Sequence, residues 1–171
     1  DSMDKIICGK AYKFGNNIDT DQIYPGRYLE LTEPAAIARH ALEGADPAFC
    51  TRFQPGGIVV GGTNFGCGSS REHAAIALQS AGVSLVVAES FARIFFRNAI
   101  NLGLPLLVCP GIANRVQEGD ELEVNLETGT VQNLARGEEY RGERLSAYVL
   151  NILAAGGIKP LMRAKFEKQA L

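Results

Sequence analysis

The sequence predicts an α/β fold: a small parallel sheet with flanking helices, extended by hairpin strands. Three observations predict it. Three short, mainly apolar runs, Ile58-Val59-Val60, Val83 to Ala88 and Gly103 to Pro110, are separated by two helical patterns. Runs of that kind suit strands covered on both faces, and strands alternating with helices imply parallel crossovers. The stretch Leu122 to Leu126 then alternates apolar and polar residues and turns through Glu127-Thr128-Gly129-Thr130 into Val131 to Leu134, as a hairpin does.

The elements follow in order. Lys5 to Phe14 reads as one or two strands, closed by the turn signal Gly15-Asn16-Asn17. Ile18 to Leu29 is a polar patch between isoleucines followed by Pro-Gly. Two readings of it stand: Asp19 and Asp21 as turn-formers bonding the backbone, or Thr20 and Asp21 as groups facing a cleft. Pro34, after Thr32-Glu33, starts a helix to about Glu43, on which His40 reads as a surface or partly packed residue rather than a catalytic one. Residues 44–55 connect, anchored by Phe49 and Phe53. The first buried strand leads into Gly61-Gly62-Thr63-Asn64-Phe65-Gly66-Cys67-Gly68-Ser69-Ser70-Arg71-Glu72-His73, where four glycines permit sharp turns. A helix is expected from Arg71 to Ser80, capped by Ser69 or Ser70 and ended by Ala81-Gly82. Glu89-Ser90 are expected to cap a helix over 91–102, on which Arg93 and Arg97 share a face. Arg144 to Ala154 and Ile158 to Phe166 have helical spacing, and the charged tail 165–171 is expected to fray.

Composition narrows the function. The chain has 171 residues, 46% of them apolar and 21% charged, so it can bury a core, and it reads as one domain over 1–171. A formal charge of −2 and short basic runs give no sign of a nucleic-acid face or a membrane patch. With no apolar stretch of spanning length and no leader pattern, a cytoplasmic location is expected. Asp1-Ser2 read as an appended pair ahead of a native start at Met3. Cys8, Cys50, Cys67 and Cys109 are widely spaced, and with only His40 and His73 beside them a zinc site is not expected. Cys8 and Cys109, in apolar runs, read as buried fillers; Cys67 reads as a packed loop residue or a reactive thiol.

The glycine-rich turn carries the chemistry. A strand-to-helix turn of this composition attracts anions at the helix N-terminus, and Arg71 adds a two-pronged donor for a carboxylate or phosphate. The same turn can also be a mere connector. It has neither a P-loop lysine nor the spacing of a dinucleotide loop or a nucleophile elbow. Ser69, Ser70, Arg71, Thr20, Asp21 and Arg27 make a polar set without a base and orienting acid for a serine hydrolase. His73, four residues after Ser69, is expected to stabilise the turn. The set is half a site: it binds an anion and handles a proton, while the electrophile comes from elsewhere.

At this point Asn64 to His73, with its Gly-Ser-Ser-Arg-Glu-His core, resembles the swivel-domain motif of the aconitase superfamily, and Asp19-Thr20-Asp21-Gln22-Ile23 looks like that domain's N-terminal motif. The length resembles that of the separate small subunits of the isopropylmalate isomerase and homoaconitase group. The resemblance implies a β/β/α swivel domain that closes over a large subunit, as a heterodimer or heterotetramer. No cofactor is expected on this chain; a [4Fe–4S] cluster is expected on the large subunit, whose open iron acts as Lewis acid on a small hydroxy di- or tricarboxylic acid. It further implies Ser69 as the base taking a carbon-bound proton and Ser70 and Arg71 on the substrate carboxylate. Thr20 and Asp21 would stand across the site, with Asp21 orienting a charged partner. Tyr28, Leu29, Glu30 and Leu31 would face the variable group of the substrate. Homoaconitase-like subunits carry an arginine after a Tyr-Leu pair, where this chain has Glu30. Repulsion between carboxylates and the apolar Leu29 and Leu31 favour 3-isopropylmalate, and hence leucine biosynthesis, over homocitrate. Arg27 keeps a distal acid in play, and citramalate and dimethylmalate stay open. A non-catalytic anion-binding module is the reading from another class.

Overall fold

The computed structural model describes residues 5–170. The expectations for Asp1-Ser2, Met3 and Leu171 lie outside them. Seven strands form one sheet in the order β4-β3-β2-β1-β5-β6-β7. Strand β1 (Ile6–Lys13) is the joint. Its C-terminal half, Ala11 to Lys13, pairs in parallel with β2 (Ile58–Gly61). Its N-terminal half, Ile6 to Lys10, pairs antiparallel with β5 (Glu121–Asn125). Beyond β2 lie β3 (Leu85–Ala88) and β4 (Leu106–Val108), both parallel; beyond β5 lie β6 (Thr130–Asn133) and β7 (Glu138–Arg141), both antiparallel.

The apolar runs work as expected because successive side chains face opposite layers. Tyr12, Val59, Val86 and Leu106 pack under the helices α4 (Glu72–Ala81), α5 (Arg93–Leu102) and α6 (Ala147–Ala155). Ala11, Ile58, Val60, Leu85, Val87 and Leu107 pack the other way, against Leu122, Val124, Val131 and Tyr140 of the antiparallel half. The sheet therefore folds over itself at β1, giving an antiparallel layer, a parallel layer and a helical layer. This is the α/β arrangement expected, with a third antiparallel strand added to the hairpin.

Several boundaries differ from expectation for physical reasons. The helix at Pro34 is α2 (Pro34–Ala38) and ends early, in turns leading to Leu42 at φ 54°. The connector contains a one-turn helix, α3 (Phe49–Arg52), held by fully buried Phe49. Ser69 and Ser70 do not cap α4: the extended N-cap is Arg71, which leaves both serines outside capping reach. Glu89 and Ser90 do not cap α5, which starts after Ala92. Glu89 instead accepts from the Gly111 and Ala113 N–H groups, and Ser90 Oγ from Asn64 N–H. Helix α7 (Ile158–Ala170) runs through the segment expected to fray. Cys8 is exposed rather than buried, because it sits opposite Glu123 on the outer face of the antiparallel half. Cys109 is buried as expected, and burial pushes its thiol up to about 11.

Candidate functional site

The site lies where two loops are zipped together beside the C-terminal end of β2. Asp19 bridges in parallel to Cys67, Gly66 N–H donates to Ile18 C=O at 2.7 Å, and Thr20 N–H donates to Cys67 C=O at 2.8 Å. A second bridge, Phe65 to Phe91, ties the same loop to the start of α5. Phe65 is fully buried, edge-on to Phe91 and Phe95. Gly66 is required here: its φ is +85°, and a Cβ would lie 2.2 Å from Phe95 Cγ. Gly68, at φ +100°, passes so close to Thr20 that a Cβ would sit 3.3 Å from Oγ1. The glycines thus let the backbone run against aromatic rings on one side and the Thr20 turn on the other.

The Thr20 turn is α1 (Thr20–Ile23), built by a capping box. Asp19 Oδ1 accepts from Gln22 N–H at 2.8 Å, and Gln22 Oε1 accepts from Asp19 N–H at 3.0 Å. The turn-forming reading holds for Asp19. Asp21 is different: its Oδ1 accepts from Arg71 Nη1 at 2.9 Å and from Gly26 N–H at 2.8 Å. The Arg71 hydrogen bond, then the Gly26 N–H, hold its carboxyl below the ordinary value, against a smaller upward push from burial.

The zipping brings Thr20 and Ser69, 49 residues apart, to 3.3 Å between hydroxyl oxygens. Thr20 is buried; Ser69 and Ser70 are exposed just ahead of the α4 N-terminus. Arg71 reaches back across the turn, its Nη1 donating also to Tyr24 C=O at 3.2 Å. The structure therefore joins Thr20 with Ser69, and Asp21 with Arg71, around one opening.

Arg27 is not part of that convergence. Its guanidinium stacks on the Tyr28 ring at 4.8 Å and pairs with Glu43 at 3.6 Å. The segment from 24 to 31 is ordered by side chains. Tyr24 is buried, burial pushes its phenol up, and its hydroxyl donates to Tyr28 C=O at 2.5 Å. His73 stacks on Tyr24 and meets Leu31 C=O at 3.1 Å through Nε2. A carbonyl only accepts, so the His73 proton is on Nε2. His73 thus holds a distant loop rather than its own turn. Leu29 and Glu30 are exposed, and Leu31 packs partly into the core. Sequence reasoning gave no role to Glu43. The visible signal was His40 and Glu43, three apart and able to share a helical face.

Among the described residues, no group of three or more His, Cys, Asp or Glu side chains is placed to hold a metal. The donor set around Ser69 does not fit an iron–sulfur cluster: Cys67 is the one nearby thiol, and its neighbours are hydroxyls and an ion pair.

The aconitase C-terminal domain family matches residues 16–110, which contain both zipped loops. The isopropylmalate/citramalate isomerase small subunit of Methanocaldococcus jannaschii is 57% identical over 95% of this chain and 97% of its own length. The 3-isopropylmalate dehydratase small subunit 1 of Methanopyrus kandleri is 53% identical over 94% of this chain and 95% of its own. This chain belongs to the family of 3-isopropylmalate dehydratase small subunits, with the aconitase swivel fold. A crystal structure of 3-isopropylmalate dehydratase from M. jannaschii superposes with a TM-score of 0.93 at 39% identity, covering 96% of this chain and 98% of that one. The dehydratase family is thus shared along nearly the whole length, in the antiparallel half as well as around the loops.

Proposed function

We propose that this chain is the small subunit of a hydro-lyase that interconverts 2- and 3-isopropylmalate, working with a large subunit that carries the [4Fe–4S] cluster. The observation that carries the reading is the Thr20–Ser69 hydroxyl pair beside the Arg71–Asp21 ion pair, in a chain of the dehydratase small-subunit family.

Ser69 is the base for the carbon-bound proton. An ordinary serine hydroxyl is far too weakly acidic, so its anion needs help. The positive end of α4, the Arg71 guanidinium and a hydroxyl donor all favour negative charge at Ser69 Oγ. An alkoxide only accepts, so in that state Thr20 Oγ1–H is the donor. Asp21 fixes the direction of Arg71, which with Ser70 holds the substrate carboxylate. The proton passes from carbon to Ser69 Oγ, and the bonding pair becomes the new double bond as hydroxide leaves from the next carbon. The electrophile that draws off the hydroxide belongs to the large subunit. Leu29 and Leu31 suit an isopropyl group. The name of the M. jannaschii relative supports citramalate as a second substrate, since a methyl group needs less of the same apolar space.

The test is dehydration by the anaerobically assembled complex of this chain with its large subunit, on 3-isopropylmalate, citramalate, dimethylmalate and homocitrate. Turnover of 3-isopropylmalate is expected to exceed that of homocitrate and to fall about 10²–10⁴-fold in Ser69→Ala with assembly intact. Homocitrate as the best substrate, or a fully active Ser69→Ala complex, overturns the reading.

A further inference from the structure

One cluster beside the site is unused by that reading. Glu43 collects three partners at the foot of the 24–31 segment. Its Oε1 meets His40 Nδ1 at 2.7 Å; its Oε2 accepts from the Tyr28 hydroxyl at 3.2 Å and faces Arg27 Nη2 at 3.6 Å. The Tyr28 ring lies flat on His40, with centroids 3.6 Å apart and planes 13° apart. Glu43 and His40 are largely shielded, while two thirds of the Arg27 side chain is exposed. The carboxylate is therefore a fixed post and the guanidinium the movable member.

The backbone makes this consequential. Gly26, immediately before Arg27, lies against the site: a Cβ there would be 3.2 Å from Arg71 Nη2 and 3.3 Å from Asp21 Oδ1. Arg27 thus leaves the chain at the edge of the anion site, yet its charge is drawn to Glu43. We propose that Glu43 is a positioning residue for substrate choice: by holding Arg27 against Tyr28, it withholds a cation from the variable arm of the substrate, so that apolar arms are preferred over carboxylate-bearing ones. This rests on the proposed function. It adds that discrimination against a distal acid comes from a restrained arginine as well as from the residues at 29–31.

The experiment compares wild type, Glu43→Gln, Arg27→Ala and the double variant, each assembled with the large subunit, on 3-isopropylmalate and homocitrate. A partly exposed ion pair is a weak restraint, so Glu43→Gln is expected to lower KM for homocitrate about three- to fivefold. KM and kcat for 3-isopropylmalate are expected to stay within about twofold, and the homocitrate gain to vanish in the double variant. Equal changes on both substrates, or a gain that survives Arg27→Ala, overturn the proposal. A wild-type complex that turns over neither substrate counts against the proposed function instead. The tether is then read in the isolated full chain from Arg27 guanidinium NMR signals. Rotation restricted in wild type and freed in Glu43→Gln supports it; equal mobility in both overturns it.

Discussion

Two loops face each other across the site, and they are held by different means. The 61–71 loop is held by its backbone. Its amides and carbonyls bond residues 15, 18, 20 and 90, and Phe65 is sunk between aromatic rings. The 24–31 segment is held by side-chain tips: a phenol, an imidazole, a carboxylate. Backbone anchoring fixes atoms without regard to most side chains, which suits the proton transfer proposed for Ser69. Side-chain anchoring can be altered one residue at a time, which suits the substrate discrimination proposed for this segment.

The contrast can be broken most forcefully at two glycines. Gly66→Ala places a methyl group in the Phe95 ring at a left-handed φ, so a loss of about 2–5 kcal/mol in folding stability is expected from denaturant unfolding. Gly26→Ala meets only the ends of Arg71 and Asp21, and should stay within about 1 kcal/mol of wild type. Similar losses at both would mean that the two loops are anchored alike.

A smaller effect is expected at His73. His73→Phe keeps a ring against Tyr24 but loses the donor to Leu31, a change of about 0.5–1.5 kcal/mol. Hydrogen exchange should quicken at residues 28–33 and stay unchanged at 62–68; equal acceleration in both would erase the distinction.

The smallest effect concerns pH. The folded pKa of Asp21 is depressed, first by Arg71. Its contribution to stability is present above the unfolded value of about 3.9 and is lost as pH falls through the lower folded value. The group is largely exposed, so the loss is slight. The acid limb of the stability curve should flatten in Asp21→Asn; an unchanged limb would show that the pair contributes nothing to folding.

The parallel half was legible because Ile58 to Val60, Leu85 to Ala88 and Leu104 to Cys109 are apolar on both faces and too short for helices, as doubly covered strands are. Strand β7 was not: Glu138-Glu139-Tyr140-Arg141 has one inward residue, and an edge strand needs no more. The Ser69 turn was legible through its glycines, but its capping was misread, because Arg71 takes the extended N-cap position. That Thr20 meets Ser69 depends on a bridge between Asp19 and Cys67, which no local pattern encodes. The restraint on Arg27 was hidden for the same reason, since Glu43 lies beyond the early end of α2.

The double pairing of β1 also orders events on the ribosome. Strands β1 to β4 are complete once Val108 has emerged, yet β5 and β6, which cover the back of that sheet, end at Asn133. Ahead of β5 in the chain, Ile112 and Val116 are the residues that join Ile58, Val60, Leu85, Val87 and Leu107 in the core on that face. At roughly 5–20 residues per second the stretch from Val108 to Asn133 takes about one to five seconds to follow, so the parallel strands precede their antiparallel cover by that interval.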